Sequence, residues 1–157
     1  MLIVAGPGPG AVCLQIGPDL SYREVWKDRR LLDSQFNSLV HHAGHIYGFT
    51  ARRQGGSIFK CIEFATGKLC WQYPSPLDRG QALAADGRLI LWGEHGLLTA
   101  LALDPQRLQV VAAAAEPLLA SPCYSSPILH RGMLFLRNET TLLCLRLRAK
   151  SHSEADS

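Results

Sequence analysis

Apolar residues in this chain fall into short runs that recur at even spacing and are broken by small, turn-forming residues. One series comprises Ile46-Tyr47-Gly48-Phe49, Leu89-Ile90-Leu91-Trp92 and Met133-Leu134-Phe135-Leu136, and Met1-Leu2-Ile3-Val4 is the same run without its leading glycine. A second series follows each member of the first: Ala11 to Ile16, Phe59 to Phe64, Leu98 to Leu103 and Leu142 to Leu147. Runs this short, rich in β-branched and aromatic residues and bounded by Gly, Pro, Asn and Asp, predict strands rather than helices. The first series reads as buried inner strands. In the second, Cys13, Cys61, Ala100 and Cys144 occupy one common position, which predicts a small buried side chain there and neither a metal ligand nor a disulfide.

Gly44, Gly87 and Gly132 open successive copies of the first run at intervals of 43 and 45 residues, within the roughly 40 to 50 residues of one propeller blade. Gly6-Pro7-Gly8-Pro9-Gly10, Arg53-Gln54-Gly55-Gly56, Gly93-Glu94-His95-Gly96 and Asn138-Glu139-Thr140 lie between the paired runs and read as hairpin tips. A third strand is predicted to end in Trp26 and in Trp71, the latter after the turn Thr66-Gly67-Lys68, with Val110 or Val111 in the Trp position of the next copy. Pro105 to Ala120 contains four consecutive alanines and has some helical propensity behind Asp104 as a cap. The repeat register requires outer strands there, and burial against neighbouring sheets overrides propensity.

The run Gly44-x-Ile46-Tyr47-Gly48, followed by Cys61-Ile62-Glu63-Phe64-Ala65-Thr66-Gly67-Lys68-Leu69-Cys70-Trp71, resembles the repeat of the pyrroloquinoline-quinone-like propellers. That superfamily includes quinoprotein alcohol dehydrogenases and the propeller lipoprotein of the outer-membrane β-barrel assembly machinery. The likeness runs from residue 1 to about 148 and weakens where Asp104-Pro105-Gln106-Arg107 stands in place of Thr-Gly-Lys. Cys123 to Leu147 is similar to the closing blade of bacterial members without assigned activity. The resemblance implies an all-β propeller of four-stranded antiparallel blades at approximately 1–35, 36–78, 79–122 and 123–148, with a polar tail over 149–157. It also implies a periplasmic or cell-envelope location.

At this period 157 residues hold about three and a half blades, whereas rings that close typically use 4 to 8. The expectation is the carboxy-terminal part of a longer exported protein, with the remaining blades, or a second copy, completing the ring. Met1 to Ala5 is too short for a signal peptide, and no apolar stretch approaches the roughly 18 residues of a membrane helix. The net charge of +3 comes from scattered Arg and Lys, without the clustering that a nucleic-acid footprint needs.

His41, His42 and His45 have the residue type for a metal site, but no carboxylate or Cys accompanies them, and the expected role is that of exposed polar residues at a turn. In the dehydrogenases the resemblance implies, quinone sits between a Trp floor and a disulfide of adjacent cysteines, beside Ca held by Glu, Asn and Asp. The five cysteines here include no adjacent pair, so no cofactor is expected, and Trp26 and Trp71 are assigned to packing between blades. Neither a Gly-x-Ser-x-Gly elbow nor a phosphate-loop ending occurs. The function expected is that of a non-catalytic scaffold for a protein, peptide or glycan. Its binding residues are placed at hairpin tips, namely Arg52, Arg53, Glu94, His95 and Arg137, on a frame set by Gly44, Thr66, Gly67, Trp71, Trp26, Gly87 and Gly132. The alternative is part of a quinone-dependent dehydrogenase whose active site lies on upstream blades.

Overall fold

The computed structural model describes residues 1–50, 56–74 and 76–147. The described residues form fourteen strands and no helix. Sheet 1 contains β1 (Leu2–Gly6), β2 (Gly10–Ile16) and β3 (Tyr22–Asp28), and sheet 2 contains β4 (Val40–His42), β5 (His45–Phe49), β6 (Phe59–Glu63) and β7 (Leu69–Tyr73). Sheet 3 contains β8 (Gly80–Ala85), β9 (Arg88–Gly93), β10 (Leu98–Ala102) and β11 (Val110–Ala113), and sheet 4 contains β12 (Ile128–His130), β13 (Met133–Arg137) and β14 (Leu142–Arg146). Within each sheet, strands adjacent in sequence are hydrogen-bonded neighbours, all antiparallel. The alanine-rich segment after Pro105 forms strand β11, as the repeat register required.

The glycines that mark the repeat are turn residues. Ala43-Gly44, Asp86-Gly87 and Arg131-Gly132 each place two consecutive residues at positive φ, the conformation of a type I′ hairpin, whose twist matches that of the flanking strands. Each glycine carbonyl then accepts a backbone N–H from the end of the third strand's run: Phe64 N to Gly44 O at 2.9 Å, Leu103 N to Gly87 O at 3.0 Å, and Leu147 N to Gly132 O at 2.8 Å. One hydrogen bond is thus copied in three sheets.

These turns correct the predicted strand order. In sheets 2, 3 and 4 the runs read as inner strands are second, behind β4, β8 and β12. Ala43-Gly44 joins β4 to β5 within sheet 2, with His42 paired to His45, and is not a link between blades. β8 approaches both β4 and β5, so sheet 3 meets sheet 2 through its first strand.

Register assigns each sheet two distinct faces. Ile3–Cys13, Tyr47–Cys61, Ile90–Ala100 and Phe135–Cys144 are cross-strand pairs on what we term the leading face. Leu2–Leu14, Ile46–Ile62, Leu89–Leu101 and Leu134–Leu145 form the trailing face. Three apolar clusters fill the spaces between sheets, each joining one leading face to the next trailing face: Ile3 and Ala11 with Ile46 and Ile62, Tyr47 and Cys61 with Leu89 and Leu101, and Ile90 and Trp92 with Leu134 and Leu136. Strands β5 and β9 are buried on both faces, which is why they read as continuous apolar runs. Strand β14 alternates exposed and part-buried because only one face of sheet 4 is covered. For the same reason Cys144 is exposed, against expectation, while Cys13 and Cys61 are buried.

The small-residue position has a backbone role as well. A β-bulge falls at Cys13/Leu14, Cys61/Ile62 and Ala100/Leu101, the same point of three sheets, where it increases local twist. Opposite it stand Trp26, Trp71 and Ala112. The Trp26 indole donates to Phe64 O at 2.8 Å, and that of Trp71 to Asp104 O at 2.9 Å, each reaching the next sheet. Gly67, at φ +72°, lies flat beneath Trp26, and a Cβ there would approach the ring to 2.8 Å. In sheet 3 the Trp position falls on Ala112 and not on Val110 or Val111. An apolar cavity of about 330 Å³, lined in part by Ala100, Ala112 and Leu134, occupies this region between sheets 3 and 4.

Candidate functional site

Hairpin tips β1–β2, β9–β10 and β13–β14, together with the connections β3–β4, β7–β8 and β11–β12, emerge at one end of the sheets, opposite the three type I′ turns. Four segments remote in sequence are locked together at this loop end. Glu94 is 2 % exposed, and its Oε2 accepts from Arg79 Nη2 at 2.6 Å and Nε at 3.1 Å. Its backbone is held from both sides, because Glu94 N donates to Arg79 O and Cys123 N donates to Glu94 O. A buried carboxylate is tolerated only with such pairing, since the desolvated charge would otherwise cost several kcal/mol.

Arg79 also donates from Nη1 to Gln35 Oε1 at 2.8 Å, and its guanidinium carbon stands 5.1 Å from the centroid of Phe36. Phe36 meets Tyr124 edge-on at 5.0 Å between centroids. Gln81, itself buried, ties the two aromatic segments together, donating from Nε2 to Phe36 O at 3.0 Å and to Tyr124 O at 3.2 Å. The result is a rigid rim with Tyr124 half exposed beside an ion pair and a cation–π contact.

His95 stands next to this rim. Its Nδ1 is 3.2 Å from Ser121 Oγ, while Nε2 is 3.7 Å from Glu94 Oε1 and 3.9 Å from Asp78 Oδ2. Asp78 in turn accepts from Ser57 N at 3.0 Å. Asp78, Glu94 and His95 are metal-ligating residue types with ligand atoms within 4.8 Å of one another, although one oxygen of Glu94 is committed to Arg79. Ser121, His95 and Asp78 are also the residue types of a nucleophile triad. The separations of 3.7 and 3.9 Å between the His95 imidazole and these carboxylates exceed hydrogen-bond length and fit ion pairs more than the orienting bond of a triad.

Of the residues singled out from sequence, Glu94 and His95 lie in this cluster, but Glu94 faces inward and supports the rim instead of presenting itself to solvent. Arg137 is exposed on the β13–β14 tip, and the neighbouring Asn138 donates to Ala120 O at 3.0 Å. Arg52 and Arg53 lie outside the described residues. His41, His42 and His45 sit at the opposite end: His45 Nδ1 contacts its own turn at Ala43 O, and His41 stacks edge-on against Phe64. Gln35, Phe36, Asp78, Arg79, Gln81, Ser121 and Tyr124 were missed from sequence, because the connections that carry them have no period to align.

Burial pushes the Cys61 thiol up to about 12 and raises those of Cys13 and Cys123, and it raises the Tyr47 phenol as well. Tyr47 Oη and Trp92 Nε1 are buried without a hydrogen-bond partner among the described residues.

No protein-family model matches this chain, and no curated protein matches it. Among solved structures it is similar to BamB from Moraxella catarrhalis, at 15 % identity and a TM-score of 0.69, over 92 % of this chain and 42 % of that one. It is also similar to the computationally designed Ika8 protein, at 10 % identity and a TM-score of 0.51, over 92 % of this chain and 55 % of that one. The chain therefore spans about half the length of the structures it matches. Sheet order and this likeness together establish an all-β propeller of antiparallel blades, four-stranded in sheets 2 and 3 and three-stranded among the described residues in sheets 1 and 4, present as an open arc.

Proposed function

We propose that this chain is a non-catalytic propeller scaffold that grips a partner protein, peptide or glycan at its loop end, as the carboxy-terminal part of a longer exported protein of the cell envelope. The observation that carries the reading is the rim itself. Residues 35–36, 78–81, 94–95 and 121–124 come from separate connections, yet buried hydrogen bonds and one ion pair hold them in fixed relation. Exposed Tyr124, part-buried Phe36 and exposed His95 then form a preorganised aromatic and polar surface, the composition that concentrates binding energy at interfaces. The opposite end carries the three two-residue type I′ turns and the β2–β3, β6–β7 and β10–β11 connections, without a comparable set of hydrogen bonds between sheets among the described residues.

Site-specific photocrosslinking distinguishes the two ends. A crosslinker at Tyr124 should capture one discrete partner from envelope extracts, and a crosslinker at Arg131, on a type I′ turn, should not. Loss of the Tyr124 adduct on Arg79→Ala, with the fold intact by circular dichroism, would tie capture to the rim. Equal capture from both ends, or none from either, overturns the reading.

A further inference from the structure

Strand β7 carries one residue more than the stretch of β6 it pairs with, and that residue is a cysteine. Cys61 pairs with Trp71 and Ile62 with Leu69, which leaves Cys70 as the additional residue of the bulge. The same place is taken by Val25 in sheet 1, where Cys13 pairs with Trp26 and Leu14 with Glu24, and by Val111 in sheet 3, where Ala100 pairs with Ala112 and Leu101 with Val110. Sheet 2 therefore has two thiols at its bulge where sheet 1 has one and sheet 3 has none. Repeat spacing conceals the second, because it aligns Cys61 with Cys13, Ala100 and Cys144 and passes over the inserted residue.

Two residues of a bulge oppose a single residue of the partner strand, so Cys70 and Trp71 both stand across from Cys61. Opposed residues of antiparallel strands are about 4.5–5.5 Å apart between Cα atoms, inside the roughly 4.4–6.8 Å that a disulfide spans. The two side chains interact: burial raises the Cys61 thiol, and the neighbouring Cys70 thiol adds to the rise. Both cysteines are free thiols, Cys61 buried at 0 % exposure and Cys70 exposed. Cys70 lines an open groove of about 400 Å³ with His45, Glu63, Lys68 and Gln106, large enough to bring a small molecule to its sulfur.

We infer that Cys61 and Cys70 form a modification site, a dithiol that closes to a disulfide across β6 and β7 by exchange with a small disulfide of the glutathione class. The Cys70 thiolate attacks one sulfur of that disulfide, whose S–S bond breaks to release one thiol and leave the other half bound to Cys70. Cys61 then gives its proton to solvent and attacks the Cys70 sulfur, displacing the second thiol. Two protein thiols are oxidised, one external disulfide is reduced to two thiols, and an external dithiol reverses the sequence. The Cys61 thiol is a poor nucleophile while it keeps its proton, but its attack is intramolecular, which raises its effective concentration far above that of any thiol in solution. The bridge fixes the bulge beside Trp71, whose indole reaches Asp104 O in the β10–β11 connection, so the site lies at the seam between sheets 2 and 3. The inference rests on strand register and not on the binding reading above, and each can fail alone.

The test treats the folded, reduced 157-residue chain with oxidised glutathione, quenches with an alkylating agent and maps the cysteines by tryptic digestion and mass spectrometry. Trypsin cuts after Lys60, Lys68 and Arg79, so the expected product is the peptide 61–68 joined to the peptide 69–79, and dithiothreitol should separate the two. Exposed Cys144, which stands opposite Phe135, should keep a single glutathione under the same conditions. Cys61→Ala, which copies Ala100 of sheet 3, should leave Cys70 holding one glutathione as well, and Cys70→Val, which copies Val25 and Val111, should leave Cys61 unmodified. Far-UV circular dichroism checks that both variants fold. In the unaltered chain, a lasting glutathione adduct on Cys70, an unmodified Cys70, or a bridge from Cys70 to any cysteine but Cys61 overturns the inference. Glutathione on Cys61 in Cys70→Val overturns the route through Cys70.

Discussion

Gly67→Ala is the substitution whose cost the structure resolves most sharply, because Gly44→Ala provides a matched control. Both glycines have positive φ, +72° and +77°, so alanine at either position adopts a left-handed conformation at a cost of about 1 kcal/mol. Nothing lies within 4 Å of a Cβ on Gly44, and its cost should end there. At Gly67 the new Cβ would stand 2.8, 3.1 and 3.2 Å from three carbons of the Trp26 indole. Relief requires the ring to shift, which costs roughly 1–3 kcal/mol as overpacking. The shift also strains the indole hydrogen bond to Phe64 O, itself worth about 1 kcal/mol. Gly67→Ala should therefore destabilise by roughly 2–4 kcal/mol, against about 1 kcal/mol for Gly44→Ala. Urea unfolding followed by circular dichroism, with m unchanged, reads the difference as a shift in midpoint. In a Trp26→Val background the cost of Gly67→Ala should fall to that of the control, a coupling that the double-mutant cycle isolates. Equal costs for the two glycines within about 0.5 kcal/mol, or no relief on removing Trp26, would refute the seam as the reason for Gly67.

Glu94→Ala should cost about 3–5 kcal/mol in urea unfolding by stranding the Arg79 guanidinium in a largely buried site, and the loss should barely change with salt because the pair is shielded from solvent. Ala112→Leu places side-chain volume in the cavity between sheets 3 and 4 and should raise stability by about 1 kcal/mol; a fall in urea midpoint would mean that the cavity does not admit it. Cys13, Cys61 and Cys123 should stay unreactive toward a thiol reagent until the chain unfolds, whereas Cys70 reacts in the native state. The raised Cys61 thiol keeps its proton in the folded state, while the unfolded chain loses it near the ordinary 9.0. Stability should thus be full below that pH and fall by up to about 1.4 kcal/mol per unit as pH rises toward 12. Urea midpoints at pH of about 8 and about 10 should diverge less in Cys61→Ala, and an unchanged divergence would discard this thiol as a source.

The repeat was legible in the sequence because each element carries a local physical signature. Gly44, Gly87 and Gly132 recur because a two-residue hairpin needs positive φ. Continuous apolar runs mark strands covered on both faces, and Trp26 and Trp71 mark the edge where one blade reaches the next. From these the fold class and the hairpin tips β1–β2, β9–β10 and β13–β14 follow without any coordinate. The first strands β4, β8 and β12 were overlooked, although the type I′ turn implies a partner ahead of it: β4 and β12 hold three residues each, too few for periodicity to stand out, and β8 is a six-residue run of small and polar residues broken only by Leu83.

What tertiary structure alone decided lies between repeats. That Ala112, and not Val110 or Val111, takes the indole position depends on a bulge, which shifts register by a residue that no spacing reveals. Cys144 is exposed while Cys13 and Cys61 are buried, although all three share one place in the repeat, because burial depends on whether another sheet follows. The rim of Phe36, Arg79, Gln81, Glu94 and Tyr124 is assembled from aperiodic connections, and only the fanning of the sheets brings them within hydrogen-bond reach. Local chain chemistry determines strands and turns; the packing of whole sheets determines which side chains meet.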